Sequence, residues 1–295
     1  MITRYAPAPT GRLHLGHLAN AIYVWGLAWR AAGRVILRIE DHDRQRCRPE
    51  YEAALLDDLD RLGIAAHEPS THELRSGPSL FRQSDNDEVY AAALDRLAAV
   101  ADVYACDCSR STFAAWAEAN GRAWLGPGCP RGCRSRGLVH GPGLGVRVAL
   151  GEGDEAWDDV LVGPHAGPVL GEGDLLARDR NGNWTYALCV VVDDMRHGID
   201  LIVRGEDLLE ATPAQLRLGR LLGRATPPTF GHHPLIRRAD GTKLSKSDGA
   251  TSLGEQLDAG RSTGSLLAET VERLGLARRD GPVTWPEAIE LVARA

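Results

Sequence analysis

The order of segments at the start of the chain constrains the fold more than any bulk property. Residues 2–6 read as a short strand stopped by Pro7, Pro9 and Gly11, and an apolar-periodic stretch over residues 17–31 reads as a helix. Residues 34–40, RVILRIE, are apolar and β-branched enough for a buried strand, and residues 49–62 space acids, Ala and Leu at helical intervals. This strand-helix-strand-helix opening predicts a parallel sheet with right-handed crossovers and a ligand site at the carboxyl ends of its strands. The loop between the first strand and the first helix should therefore face the ligand.

A further helix is expected over residues 85–101, followed at 104–136 by a stretch rich in Gly and Arg and poor in periodicity, which reads as an insertion. VRVAL, WDDVLVG, DLLARD and WTYALCVVVDD follow as short runs, then GIDLIVRG and a helix over 212–222. Beyond Pro227 and Pro228 the chain reads as loop through RRADGTKLSKSDGA, and helical segments around 265–274 and 286–294 close it. No run of about 20 apolar residues could span a bilayer, and the N-terminus lacks the basic-then-apolar pattern of a signal peptide. A cytoplasmic protein without membrane contact is expected.

Two short motifs carry phosphate chemistry. His14-Leu15-Gly16-His17 falls at a helix N-terminus, where unpaired N–H groups and the helix dipole favour anions; imidazoles can donate to phosphate, and Gly16 lets a flat base approach the backbone. The plainer alternative is a surface histidine pair. The second motif is Lys243-Leu244-Ser245-Lys246-Ser247, flanked by Asp240-Gly241 and Asp248-Gly249. Of 34 basic side chains only Lys243 and Lys246 are lysine. A biased genome explains the arginines, and a solvated basic turn is the ordinary reading of such a loop, but neither explains why both lysines sit there. Lysine is a compact charge on a flexible stem, suited to phosphates that move during a reaction. The net charge of -6 argues against indiscriminate nucleic-acid binding, yet Arg217, Arg220, Arg224, Arg237 and Arg238 make the stretch before the lysines locally basic.

Cys106-x-Cys108 and Cys129-x₃-Cys133 form two pairs compatible with tetrahedral metal coordination, the alternative being four free thiols in a loop. Cys47 and Cys189 lie outside the pattern, and Cys189 reads as a small buried residue.

HLGH and KLSKS resemble the signatures of class I aminoacyl-tRNA synthetases. Arg4-Tyr5-Ala6-Pro7-Ala8-Pro9-Thr10-Gly11, Arg38-Ile39-Glu40-Asp41, Trp184-Thr185-Tyr186 and Val203-Arg204-Gly205-Glu206-Asp207 resemble the glutamyl-tRNA synthetase catalytic domain, in order over nearly the whole chain. The resemblance implies an α/β fold with a Rossmann-like nucleotide-binding parallel sheet, a zinc-bearing insertion and a short C-terminal helical segment. The divisions expected are 1–103 and 151–230 for the two halves of the catalytic domain, 104–150 for the insertion, and 231–295 for the lysine loop and helical tail.

It further implies that His14, Gly16, His17, Lys243, Ser245 and Lys246 meet ATP, with His14, His17 and Lys246 catalytic, and that Arg4, Ala6, Ala8, Glu40, Tyr186 and Arg204 surround L-glutamate. Glu40 pairing with Arg38, and Arg204 answered by Glu206, are the structural alternatives. At Ala8 the family's serine hydroxyl is missing, a loss of about 1 kcal/mol that backbone carbonyls or water would cover. Related enzymes carry Cys-x-Cys then Tyr-x₃-Cys, and Cys129 holds the Tyr position, so one structural Zn²⁺ on Cys106, Cys108, Cys129 and Cys133 is implied, organising an insertion that covers the acceptor end of RNA. Mg²⁺ is implied with ATP. The chain ends soon after KLSKS, which resembles the truncated paralogues that transfer glutamate to the queuosine base of tRNA-Asp without needing tRNA for activation. The partners implied are ATP, L-glutamate and the tRNA-Asp anticodon stem-loop, met by a monomer, with phosphate contacts from the basic stretch after Gln215. A glutamyl-tRNA synthetase fragment charging tRNA-Glu, and a glutamate-activating ligase acting on a small amine without RNA, remain as alternatives.

Overall fold

The structure is a computed structural model that describes residues 1–169, 173–236, 251–278 and 281–294. Along the chain its elements are β1 (Ile2–Tyr5), α1 (Leu15–Arg30), β2 (Arg34–Leu37), α2 (Pro49–Leu62), α3 (Thr71–Arg75), α4 (Asp87–Ala98), β3 (Val103–Cys106), α5 (Arg110–Asn120), α6 (Cys133–Arg136) and β4 (Gly145–Val148). They continue as β5 (Asp154–Trp157), β6 (His165–Pro168), β7 (Leu175–Arg178), α7 (Tyr186–Arg196), β8 (Leu201–Gly205), α8 (Thr212–Leu221), β9 (Thr229–His233), α9 (Leu253–Asp258), α10 (Thr263–Arg273) and α11 (Trp285–Arg294). The chain divides into two compact units, Met1–Asp85 with Ile199–Leu208 and Thr229–Ala295, and Asn86–Gly198 with Leu209–Pro228.

In the first unit β1 and β2 run parallel, Ile2 opposite Arg34 and Tyr5 opposite Leu37, and β8 and β9 run parallel, Leu201 opposite Thr229 and Gly205 opposite His233. β1 lies against β8: the Asp200 N–H donates to Ile2 O at 3.0 Å and Arg4 Nη1 donates to Val203 O at 3.1 Å. α1 is apolar on nearly every face from Leu15 to Ala28, the pattern of a helix enclosed by protein. It packs on β1, β2 and β8 and is covered by α10 and α11. Gly26 sets the closest approach to α11, since a Cβ there would lie 2.6 Å from Val292 Cβ. Trp25 fills the same layer, edge-on to Tyr5 at 5.4 Å and to Trp285 at 5.8 Å. α2 starts with Pro49 at its first turn and stops at Gly63, whose φ of 69° suits a residue without Cβ.

In the second unit β3, β4 and β7 form an antiparallel sheet in that order, and β5 and β6 an antiparallel pair. Tyr90, Leu97, Val148, Ala177, Trp184, Leu188, Val191 and Leu218 fill the core between this sheet and α4, α7 and α8. Residues 85–101 and 212–222 were expected as helices and are α4 and α8 in all but their end residues.

Two segments differ from the sequence reading. YALCVVVDDMR forms the helix α7 despite three valines, because Leu188, Cys189, Val191 and Val192 all bury there, and burial outweighs a propensity cost of a few tenths of a kcal/mol each. TFGHH, expected as loop, is the strand β9, held by its parallel ladder with β8. The basic stretch differs too: Arg217 Nε donates to buried Glu155 at 2.6 Å and Nη1 to Leu150 O at 2.9 Å, and Arg220 pairs with the same carboxylate. Arg217 is thereby committed to the second unit's interior and not to an outside phosphate. No helix among the described residues is long and apolar enough to cross a membrane.

Candidate functional site

Residues 6–14 carry the chain from β1 into α1. His14, with extended backbone, caps the helix: its Nδ1 accepts the Gly16 N–H at 3.0 Å, and His17 reaches back so that its Nδ1 accepts the His14 N–H at 3.1 Å. Two imidazoles thus close the reciprocal cap usually made by Ser or Thr with Glu. A ring nitrogen that accepts from a peptide N–H carries no proton, so each neutral ring holds its proton on Nε2. The pair, 4.0 Å apart between ring centres, is therefore fixed as two Nε2–H donors beside a helix N-terminus. Gly16 makes room for this: a Cβ there would lie 2.8 Å from His14 Cε1. The glycine expected to admit a base also admits the imidazole of its own motif.

Three further members of the expected set gather in the same unit. Arg4 on β1 and Arg204 on β8 are both about nine-tenths or more buried, at 4% exposure. Arg4 Nη1 reaches the Val203 carbonyl, one residue before Arg204. Arg204 Nε donates to His232 Nε2 at 3.0 Å, and its guanidinium lies over the Phe230 ring at 5.2 Å. His232 was missed in the sequence; only the adjacent His232-His233 could have flagged it, since its partner comes from the β8–β9 register, Arg204 opposite His232. Glu40 follows β2 and accepts from Arg38 Nη2 at 3.0 Å, both side chains buried. The alternative pairing foreseen for Glu40 is thus present, and Arg204 is met by an imidazole and an aromatic ring.

Ala6 and Ala8 are half-buried in the loop, and the Ala8 carbonyl accepts the Thr10 N–H at 2.8 Å. β9 is tied to α1 by His233, which stacks on Tyr23 at 4.9 Å, donates from Nδ1 to Pro234 O and accepts from Asn20 at Nε2. Burial holds the His233 pKa below the ordinary imidazole range. Tyr186 belongs to the second unit, at the first residue of α7. Lys243, Ser245 and Lys246 lie outside the described residues.

The cysteine pairs converge in the second unit. The sulfurs of Cys106, Cys108, Cys129 and Cys133 all lie within 4.8 Å of one another, all four residues are buried, and none is in a disulfide. Cys108 and Cys133 are 3.9 Å apart; zinc bonds of about 2.3 Å in a tetrahedron put sulfurs roughly 3.8 Å apart. Burial, with the neighbouring sulfurs, pushes the Cys108 thiol up to about 11 and raises Cys133 as well. At Cys129 burial is outweighed by hydrogen bonds from the Cys133 N–H and the surrounding thiols, and its pKa falls. Four thiolates cannot coexist here without a cation, and an all-sulfur set suits a soft, tetrahedral metal ion.

Residues 1–123 and 145–282 match the family described as tRNA synthetases class I (E and Q), catalytic domain. The chain belongs to this family. A glutamyl-Q tRNA(Asp) synthetase of Symbiobacterium thermophilum is 38% identical over 97% of this chain and 90% of its own length. A glutamate--tRNA ligase of Nitratidesulfovibrio vulgaris is 37% identical over 95% of this chain, which spans 58% of that protein. The crystal structure of a glutamate-tRNA synthetase from Elizabethkingia anophelis superposes with a TM-score of 0.78 at 23% identity, covering 99% of this chain and 66% of that one. The architecture is therefore a class I tRNA synthetase fold of mixed α/β content, in a ligase family. Residues 124–144, which the family match skips, hold Cys129 and Cys133, so two of the four cysteines lie outside the matched residues.

Proposed function

We propose that this chain activates L-glutamate with ATP, without tRNA, and transfers the glutamyl group to the queuosine base of tRNA-Asp. The end-to-end match to the glutamyl-Q tRNA(Asp) synthetase relative carries this reading, because the aligned region accounts for nine-tenths of that relative. In the activation step a glutamate carboxylate oxygen attacks the α-phosphorus of ATP, a P–O bond forms, and pyrophosphate leaves with the electron pair of the bond that breaks. No covalent bond to the protein is needed, so the chain contributes position and charge. His14 and His17 would donate through Nε2–H to phosphate oxygens, and Gly16 leaves room for the His14 ring. Lys243, Ser245 and Lys246 would follow the leaving pyrophosphate. Mg²⁺ bound with ATP supplies further charge neutralisation on the phosphates.

Arg4 and Arg204 would hold the two carboxylates of glutamate, and Glu40 its ammonium, with Tyr186 as an additional hydrogen-bond donor and the Ala6 and Ala8 backbone along one wall. An arginine fork favours a charged carboxylate over the neutral amide of glutamine. The neutral imidazole of His232 orients Arg204 without cancelling its charge. The parallel pairs β1–β2 and β8–β9, brought together at Ile2 and Asp200, are read as one Rossmann-like nucleotide-binding sheet divided between residues 1–103 and 151–230. Residues 104–150 are read as the zinc-bearing insertion, with Zn²⁺ on the four cysteines and no part in bond making, and 231–295 as the lysine loop with its helical tail. ATP, glutamate and the tRNA-Asp anticodon stem-loop are the proposed partners, met in the cytoplasm by a monomer.

The match to a glutamate--tRNA ligase over the same residues favours a second reading, charging of tRNA-Glu. Radiolabelled glutamate offered with tRNA-Asp containing queuosine, tRNA-Asp lacking it and tRNA-Glu separates the two. Label should appear on the first alone. Label on unmodified tRNA-Glu alone would overturn the proposal, and glutamate-dependent ATP–pyrophosphate exchange without label on any tRNA would point to a small amine acceptor.

A further inference from the structure

The sulfur cluster is flanked by cations that the cysteine spacing does not reveal. Arg147 sits on β4 directly across the ladder from Tyr104, and is buried. Its Nε donates to Cys106 Sγ at 3.4 Å, its Nη1 donates to the peptide oxygen of Asp174, and the Phe113 ring lies 5.1 Å from its guanidinium carbon. The Asp174 carboxylate is turned to the Tyr104 hydroxyl, which donates to it at 2.9 Å. On the other side Arg136 Nη1 donates to Cys133 Sγ at 3.5 Å and to both Asp107 oxygens at 3.0 Å. Asp107 is also met by Arg131 at 3.4 Å. A third donor is neutral, the Cys133 N–H at 3.3 Å from Cys129 Sγ.

Four thiolates around a divalent ion leave two negative charges in a buried place, which is costly unless compensated. Two guanidinium groups donating to two of the sulfurs supply that compensation, but unequally. Arg136 shares its charge with Asp107 and is 40% exposed. Arg147 is 7% exposed and spends its other hydrogen bond on a peptide oxygen, so its charge is less screened by solvent. We infer that Arg147 and Arg136 are the counter-cations of the cysteine centre and that Arg147 governs how tightly its metal ion is held. Arg147 is a positioning residue: it acts on the ion through Cys106.

The inference rests on the reading that the four cysteines hold a metal ion, and the experiment separates the two. Intact protein is purified without chelator, its zinc content is measured, and the rate of zinc transfer to the chromophoric chelator 4-(2-pyridylazo)resorcinol is followed for wild type, Arg147→Met, Arg147→Lys and Arg136→Met. The Co²⁺-substituted forms are compared by their thiolate-to-metal charge-transfer absorption. Partners of ligating groups are typically worth about 10-fold or more in metal affinity. Arg147→Met should release zinc at least about 10-fold faster, Arg136→Met less than that, and Arg147→Lys between wild type and Arg147→Met, with a shifted Co²⁺ band because its ammonium replaces the Nε–H donor. Wild-type release rates in Arg147→Met, or a greater effect at Arg136, would overturn the inference. Where Arg147→Met does not fold by circular dichroism, Arg147→Lys decides: wild-type release with an unshifted Co²⁺ band overturns it. Wild-type protein that holds neither zinc nor Co²⁺ overturns the metal reading instead.

Discussion

At Gly16 one missing methyl group makes room for the His14 ring at the expense of helix propensity. Alanine favours a helix over glycine by up to about 1 kcal/mol, but its Cβ would press on the His14 ring at 2.8 Å and disturb the reciprocal cap. Gly16→Ala should therefore leave the melting temperature nearly unchanged while glutamate-dependent ATP–pyrophosphate exchange falls on the order of 100-fold, the size of effect seen when one transition-state donor is lost. Wild-type exchange in this variant would detach the histidine arrangement from the reaction. At Arg204 the test is His232→Leu, which removes a hydrogen bond to a charged group worth about 1.5–3 kcal/mol. KM for glutamate should rise roughly 10-fold or more with kcat little changed; a fall in kcat at constant KM would contradict the assigned role. The histidine pair, Arg4, Glu40 and Arg204 could be singled out in the sequence because each sits in a short ordered motif, and all of them fall in the first unit. His232 was not, because its role depends on which residue of β9 falls opposite Arg204, and register is set by packing across the sheet and not by local spacing.

Among the elements, α1, β2 and α2 could be read directly, since their apolar periods match helix and strand and their ends carry Pro or Gly. α7 and β9 could not: burial in α7 overrides the strand preference of valine, and a strand containing Gly231 and two histidines shows no alternation. α2 also carries a group that periodicity conceals. Asp58 is buried, its Oδ2 accepts no hydrogen bond, and the Gly254 backbone of α9 approaches so closely that a Cβ there would lie 2.7 Å from Oδ1. Burial raises the Asp58 pKa to about 6, against the pull of Arg61 and Arg12 and with the repulsion of Asp57 and Asp258. An unfolded aspartate loses its proton near pH 3.9, so between about pH 4 and 6 the folded state binds the proton that the unfolded state has lost. Stability from this group is thus full below the unfolded value and is lost as pH rises through about 6. Asp58→Asn should flatten this part of the profile. Melting temperatures of wild type and variant, measured from pH 4 to 7.5, should diverge across that window, and parallel curves would refute the assignment.

On the scale of the whole molecule, the histidine pair and the buried arginines Arg4 and Arg204 belong to the first unit and the sulfur cluster to the second, and only their chain order, not this division, could be read from the motifs. Segments far apart in sequence build the first unit, and no local pattern announces that. If the cysteine metal is structural, stripping it should expose residues 106–137 to proteolysis while ATP–pyrophosphate exchange survives. Loss of exchange in step with loss of metal would assign the ion to catalysis. The covering of α1 by α11 has a consequence for synthesis in the cell. The helix capped by the histidine pair leaves the ribosome long before α11, apolar on nearly every side, and waits for the segment that closes over it. At roughly 5–20 residues per second that wait lasts on the order of tens of seconds, whereas every residue of the second unit is already made when α11 begins. The second unit can thus mature first, and the nascent first helix is the stretch for which an early-acting chaperone would have most to shield.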